Sequence, residues 1–216
     1  NRIGRYGDAV DWNVKAAIAD EAYMAATGRV GMYGAMYYVH NLHFVWSAAS
    51  NEGRSAQAID YAGRVVSKID PDAARQIPMV ETFMPTAWLA MLRFGHWDEV
   101  LKTEAPHADF QYATAMWHYA RARALAAKGD AASADAENAF VVAAIVDPFT
   151  QKFEPYGIPV RQMLEIAERV AAADIARARG DKAGAVAALT EAVAKQDVLP
   201  YTEPPYWDFP TRQALG

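Results

Sequence analysis

The sequence predicts an all-α fold, and three observations support this prediction. Alanine, the strongest intrinsic helix former, is the most frequent residue of the 216-residue chain and is concentrated in 113–144 and 167–194. Apolar side chains recur with the period of a helix in paired segments. Single glycines lie between these segments, as is typical of helix ends. We therefore expect helices joined by short turns into antiparallel hairpins.

The composition excludes several classes of protein. No apolar run approaches the roughly 18 residues that indicate a membrane span. The net charge is −5 and the lysines and arginines are scattered, which argues against nucleic acid as a partner. The absence of cysteine excludes disulfides, thiolate metal sites and a cysteine nucleophile. We expect a soluble protein, and the sequence leaves its location open between cytoplasm and periplasm.

Four hairpins are expected, near 37–69, 78–104, 110–147 and 161–195. The two later ones are the clearest, because Gly129-Asp130 and Gly180-Asp181 each separate two apolar stripes. Asp181 is well placed to cap the helix that follows it. The earlier hairpins turn at Gly53 and Gly95, and Pro85 is expected to mark the start of a shortened first helix in 78–104.

Both ends of the sequence resemble interrupted hairpins. The chain starts on a turn at Gly4 and ends at Leu215-Gly216, which looks like the middle of another first helix. A helical array cut in this way exposes apolar faces. We therefore expect 1–216 to be a single domain that is a piece of a longer array, or that is completed by a partner or by self-association through these ends.

The hairpins resemble the tetratricopeptide repeat (TPR) family, whose unit is a helical hairpin with small residues at the helix crossing and a Gly-Asp or Gly-Arg turn. The matching residues in the two later hairpins are Ala122, Gly129, Asp130 and Ala134, followed by Ala173, Gly180, Asp181, Ala185 and Ala192. The earlier hairpins depart from the family, since Trp46 and Trp88 replace the small crossing residues. The resemblance implies a right-handed α-solenoid whose first helices line a concave groove.

The first candidate site lies in 37–46. On a helix, His40 and His43 fall on one face, where they could together hold a metal ion or an anionic group. The alternative is that both imidazoles are packing residues with a satisfied polar tip. The resemblance to the family places both on the groove face.

Two further segments carry candidate residues. In 117–119, His118 is expected to face the preceding repeat while Trp117 packs into its own hairpin; the alternative is an ordinary core helix with one satisfied histidine. In 201–212, adjacent prolines force an extended path that holds Glu203 and Trp207 in a stiff loop. The alternative for this loop is a spacer whose aromatic rings cover an apolar edge.

The three segments together resemble a group of bacterial TPR proteins of no established activity. The shared stretches are Tyr-x-x-His-Asn-x-His-Phe at 37–44, Trp-His-Tyr-Ala at 117–120 and Glu-Pro-Pro-x-Trp at 203–207. The resemblance implies that longer members carry further histidine-rich motifs upstream. A site that needs those motifs would be incomplete in this chain.

Three functions remain open from the sequence. The first is a binding or scaffold module that recognises a peptide or protein partner in its groove. Its candidate binding residues are Tyr37, His40, Asn41, His43, Ser47, Trp117, Tyr119, Arg123 and Trp207. The second is a metal-binding protein or metal-dependent enzyme that holds zinc, iron or copper. Its candidate ligands are His40, His43, His118 and Glu203. The third is a purely architectural subunit of a larger assembly.

Overall fold

The computed structural model describes residues 3–28 and 34–216. These residues contain helices and turns but no β-strand, so the prediction of an all-helical fold is confirmed for them. A short π-helix, Gly34–Tyr38, leads into one of the α-helices, and a 3₁₀ helix, Pro148–Tyr156, connects two others. The α-helices in chain order are α1 (Tyr6–Thr27), α2 (Val39–Asn51), α3 (Ser55–Ser67), α4 (Pro71–Gln76), α5 (Pro78–Glu81), α6 (Thr86–Arg93), α7 (Trp97–Lys102), α8 (Gln111–Ala127), α9 (Ala131–Val146), α10 (Val160–Ala178), α11 (Lys182–Asp197) and α12 (Thr211–Leu215).

The helices pack in neighbouring pairs along the chain. The pairs α2/α3, α6/α7, α8/α9 and α10/α11 form hairpins, and α1 packs against α2. In addition, α6 contacts both α2 and α8, and α8 contacts α10. The first helices of successive hairpins therefore contact one another, and each of α6, α8 and α10 also packs against the second helix of the preceding hairpin. Pro85 directly precedes α6. The short helix α5 begins at Pro78 and is separate from α6.

The four hairpin turns have the same backbone geometry. Gly53, Gly95, Gly129 and Gly180 have φ values of 75°, 74°, 85° and 76°, in the left-handed region that only glycine adopts at little cost. In each turn the N–H of the following residue donates to the carbonyl five positions earlier, as in the 2.9 Å bond from Asp181 N–H to the carbonyl of Ala176. The Asp181 carboxylate caps α11 by accepting the N–H of Gly184, as the sequence predicts.

Small residues set the spacing of the later hairpins. Ala122 and Ala173 are fully buried where the two helices of their hairpins cross. Trp46 is also buried, whereas Trp88 packs at the margin of the core. The largest core cluster of the described residues lies mainly between α8, α10 and α11 and includes two residues from outside the helices, Ile158 and Trp207. The loop that carries Trp207 is therefore part of the packed structure.

Candidate functional site

A non-helical segment, residues 199–210, packs against the first helices of two hairpins, α6 and α8. We call it the closing segment. Trp207 is only 3% exposed and its ring lies 5.7 Å from the ring of Tyr119 on α8. The ring of Phe209 lies 4.0 Å from the guanidinium carbon of Arg93 on α6. The aromatic side chains of the closing segment thus contact two first helices at once.

The sequence of the closing segment explains why it is not helical. Pro200, Pro204, Pro205 and Pro210 lack the N–H that a helix needs, and each restricts the residue before it to extended conformations. Its end is held by Gln196, whose side-chain oxygen accepts the N–H of Thr211 at 2.8 Å and the hydroxyl of the same residue at 2.7 Å. The segment is non-helical, as its prolines require, and its C-terminal end is anchored to α11.

A cavity of about 260 Å³ lies between the closing segment and the helices. We call it the arginine cavity, because Arg93, Arg123 and Arg177 all line it, from α6, α8 and α10. Arg123 Nε donates to Asp174 Oδ2 at 2.7 Å, and Arg177 Nη1 donates to Asp174 Oδ1 at 2.9 Å. One carboxylate is thus shared by two guanidinium groups, which leaves Arg93 as the third cation.

Asp208 of the closing segment projects among these arginines. Burial raises its pKa to about 6, although the charges of Arg123 and Arg93 and the N–H groups of Asp208 and Phe209 act in the opposite direction. Among the described residues, no cation lies within ion-pair distance, 4.0 Å, of its carboxylate. Asp208 is therefore a desolvated carboxylate that feels two guanidinium charges without contacting either.

Arg93 is incompletely satisfied. Burial lowers its pKa, and the charge of Asp208 offsets only part of this effect. Its Nη1 is buried and has no hydrogen-bond partner among the described residues, while its Nη2 makes a long bond of 3.5 Å to the carbonyl of Ser50. A buried guanidinium N–H without an acceptor costs free energy, so this position favours an additional acceptor.

The first helices present equivalent positions to the closing segment. The residue six positions before each turn glycine lines one of two cavities that face this segment. These residues are Ser47, Leu89, Arg123 and Asp174. The position ten residues before each turn glycine is occupied by His43, Pro85, Tyr119 and Val170, of which only the last two line the arginine cavity. The position six residues before the turn glycine therefore borders the site in all four hairpins.

A second cavity, of about 420 Å³, continues from the arginine cavity along the closing segment. We call it the open groove. Ser47 and Asn51 of α2 line one side, and Tyr201, Glu203 and Tyr206 of the closing segment line the other. Glu203 accepts a hydrogen bond from the hydroxyl of Tyr201. The predicted binding residues Ser47, Tyr119, Arg123 and Trp207 thus lie together around the two cavities.

The two histidines of α2 have different surroundings. His43 stacks on Trp46 at a ring distance of 4.8 Å and meets the edge of Phe83 at 5.1 Å. Burial, with a smaller effect of His40, lowers the pKa of His43 to about 3, so this imidazole is neutral at physiological pH. His40 is exposed, packs against Phe44 at 4.6 Å and also has its pKa lowered by partial burial. Both imidazoles are packed against aromatic rings.

Two other predicted binding residues of this segment lie apart from the cavities. Tyr37 is 64% exposed. The Asn41 amide donates to Asp20 Oδ2 of α1 at 2.8 Å, which ties α2 to the preceding helix. The role of Asn41 in the structure is therefore to join two helices.

The expected orientations of Trp117 and His118 were wrong. Trp117 Nε1 donates to Thr103 Oγ1 at 3.0 Å, so the indole faces the preceding hairpin. His118 instead faces α9 within its own hairpin, where its Nδ1 lies 2.6 Å from Glu137 Oε2 and its ring stacks on Phe140 at 4.1 Å. The carboxylate of Glu137 on α9 determines this orientation, and its position could not be read from the segment 117–119 alone.

The structure does not bring the four candidate metal ligands to one point. His118 is bonded to Glu137, Glu203 lines the open groove, and His43 is packed between aromatic rings. Over residues 3–28 and 34–216, no group of three or more histidine, aspartate or glutamate side chains is arranged to hold a metal ion. The best-defined polar cluster is instead the arginine cavity.

Comparison with protein-family models, with curated proteins and with solved structures finds no match. The functional interpretation therefore depends on the geometry of this chain alone. None of the described helices combines the length and the apolar character needed to cross a bilayer.

Sequence reasoning missed four of the five charged residues that line the arginine cavity, which are Arg93, Asp174, Arg177 and Asp208. A signal for one of them was present, because Asp174 stands in the same repeat position as Arg123, six residues before a turn glycine. Alignment of the hairpins on their turn glycines would have placed these opposite charges side by side. Asp208 and Arg93 carry no such signal, since their proximity depends on the path of the closing segment.

Proposed function

We propose that the chain is a TPR-type binding module that recognises an extended peptide of a partner protein along the face of its first helices. Three features support the TPR-type arrangement. The four hairpin turns share one geometry, the first helices lie side by side, and equivalent repeat positions face the same cavities. A row of parallel first helices offers a long surface to an extended chain at little conformational cost.

The observation that carries this proposal is the closing segment itself. A proline-rich, non-helical stretch lies on the first helices and contacts them through aromatic side chains, while its Asp208 carboxylate lies in the field of Arg93 and Arg123. The surface thus accommodates a non-helical peptide that carries aromatic and acidic side chains. Aromatic and arginine side chains, which are enriched in the energetic centres of protein interfaces, surround the segment.

The open groove gives a partner peptide access to this surface. It follows the closing segment and is lined by side chains of α2, among them Ser47 and Asn51. A peptide that enters here contacts the first helices and the aromatic edge of the segment together. We place the initial contact with the partner at this groove.

Selection from a random-peptide display library on the immobilised full chain tests the proposal. The library is also offered to Asn51→Arg, which obstructs the open groove, and to Val142→Arg, a matched control at an exposed position of α9. Peptides selected on the unaltered chain should bind Val142→Arg equally well and Asn51→Arg at least tenfold more weakly. Failure to select any peptide, or equal binding to all three chains, contradicts the proposal.

A further inference from the structure

The arginine cavity and residues 207–209 are chemically matched in sequence order. Trp207 packs on Tyr119, Asp208 enters the field of Arg93 and Arg123, and Phe209 covers the guanidinium of Arg93. Each side chain of this aromatic–acidic–aromatic triplet therefore meets a different feature of the first helices. The match resembles that between a peptide ligand and its binding site.

The match is incomplete at its centre. Among residues 3–28 and 34–216, the carboxylate of Asp208 has no ion-pair partner and Nη1 of Arg93 has no acceptor. Arg123 is already engaged with Asp174 and with the hydroxyl of Tyr119, to which its Nη1 donates at 3.3 Å. The buried nitrogen of the cavity that lacks an acceptor among the described residues is thus Nη1 of Arg93, and the closing segment does not supply one.

We propose that the arginine cavity recognises an aromatic–acidic–aromatic motif in a partner peptide, and that residues 207–209 are an internal copy of this motif which the partner displaces. This inference rests on the proposed function and specifies the ligand of that same surface. The partner differs from the internal copy in one respect. Its carboxylate is free to move until it contacts Arg93 directly.

Charge favours a carboxylate as the central group of the ligand. When Asp208 leaves, Arg93, Arg123 and Arg177 face only the single carboxylate of Asp174, so the vacated site carries two uncompensated positive charges. A guanidinium group matches the planar geometry of a carboxylate and can bind both of its oxygens. The aromatic neighbours of the ligand take the positions on Tyr119 and Arg93 that Trp207 and Phe209 occupy.

Covalent attachment explains how an imperfect internal copy can hold the site. A tethered ligand acts at an effective concentration that reaches the millimolar range for short linkers. A free peptide must overcome this advantage, so the unaltered chain binds its partner weakly until the closing segment leaves. The affinity of the chain for the partner peptide therefore depends on how stably the closing segment is docked.

A synthetic, fluorescently labelled Pro-Pro-Tyr-Trp-Asp-Phe-Pro peptide tests this inference by fluorescence anisotropy. It is titrated against the unaltered full chain and against Asp208→Lys, which adds a positive charge to the cavity and disfavours docking of the internal copy. We expect the peptide to bind Asp208→Lys at least tenfold more tightly than the unaltered chain. A second peptide with Asn in place of Asp should bind at least tenfold more weakly to the same variant.

Matched variants identify the binding site. Addition of Arg93→Gln to Asp208→Lys should abolish binding of the acidic peptide, whereas addition of Arg212→Gln should not, since Arg212 lies outside the cavity and pairs with Asp197. If Asp208→Lys lacks a cooperative thermal transition, Phe209→Ala replaces it, because this change removes the contact with Arg93 and leaves the cavity charges unaltered.

Several outcomes overturn the inference. They are equal binding to the unaltered and altered chains, equal binding of the Asp and Asn peptides, and retention of binding after loss of the Arg93 guanidinium. Library peptides that require the open groove but lack an acidic residue between aromatic residues would overturn this inference and leave the proposed function intact. Absence of any groove-dependent peptide would overturn both.

Discussion

Replacement of Asp208 by asparagine should change how the stability of the protein depends on pH. The pKa of this carboxyl rises from its ordinary value of 3.8 to about 6 in the folded chain, because burial outweighs the attraction of Arg123 and Arg93. A group with a raised pKa contributes stability that is fully present below pH 3.8 and is lost as the pH rises through about 6. A shift of about two units corresponds to about 3 kcal/mol, which is an upper value because the segment can undock.

Urea denaturation, followed by far-UV circular dichroism, measures this effect on the unaltered chain and on Asp208→Asn. Between about pH 4 and about pH 7.5 the free energy of unfolding of the unaltered chain should fall by about 1 to 3 kcal/mol relative to the variant. Asp197→Asn serves as a control, because Asp197 is half exposed and pairs with Arg212 at the surface. A difference between Asp208→Asn and the unaltered chain that is constant with pH, or that changes in the opposite direction, refutes the description of Asp208 as a desolvated carboxylate.

Three further predictions concern the fold that supports the site. Gly180→Ala should lower the free energy of unfolding by about 1 kcal/mol, because φ is 76° at this position. Gly63→Ala, on the open face of α3, should raise it by about 0.5 to 1 kcal/mol, and thermal denaturation distinguishes the two variants. Glu81→Ala should lower the free energy of unfolding by about 1 to 3 kcal/mol, since the buried Glu81 carboxylate accepts the N–H of Ala113 at the start of α8. Glu81→Gln should retain most of this stability in the same assay. The pKa of His43 is lowered to about 3, so its contribution to stability is lost as the pH falls below 6.5. NMR should show that the His43 imidazole does not titrate between about pH 5 and 8. A normal titration of His43 contradicts its burial.

The hairpins could be predicted because their determinants are local. A turn glycine, a small residue at the crossing and an apolar stripe all lie within one hairpin, and Gly129, Gly180 and Asp181 behave as these rules require. Pro85 marks the start of α6 for the same reason, since its effect on the backbone extends only to its neighbours. Local chemistry therefore determined the secondary structure of most of the described chain.

The candidate site could be predicted only in part. Ser47, Tyr119 and Arg123 face the cavities because their repeat position determines their direction. The position of Asp208 in the field of the arginines was not foreseen, since it depends on a loop that returns to helices more than eighty residues earlier in the chain. The orientation of His118 depends in the same way on a carboxylate of a neighbouring helix.

The most direct test of the account is the position of the closing segment on the first helices, with and without peptide. The chain contains no cysteine, so a single nitroxide label can be attached to Asn51→Cys on α2 or, as a control, to Val142→Cys on α9. The label on α2 should broaden the amide signals of residues 201–208 in NMR spectra, and an excess of unlabelled Pro-Pro-Tyr-Trp-Asp-Phe-Pro peptide should restore them. Equal broadening from both labels contradicts docking on the first helices, and broadening that persists in the presence of excess peptide contradicts displacement.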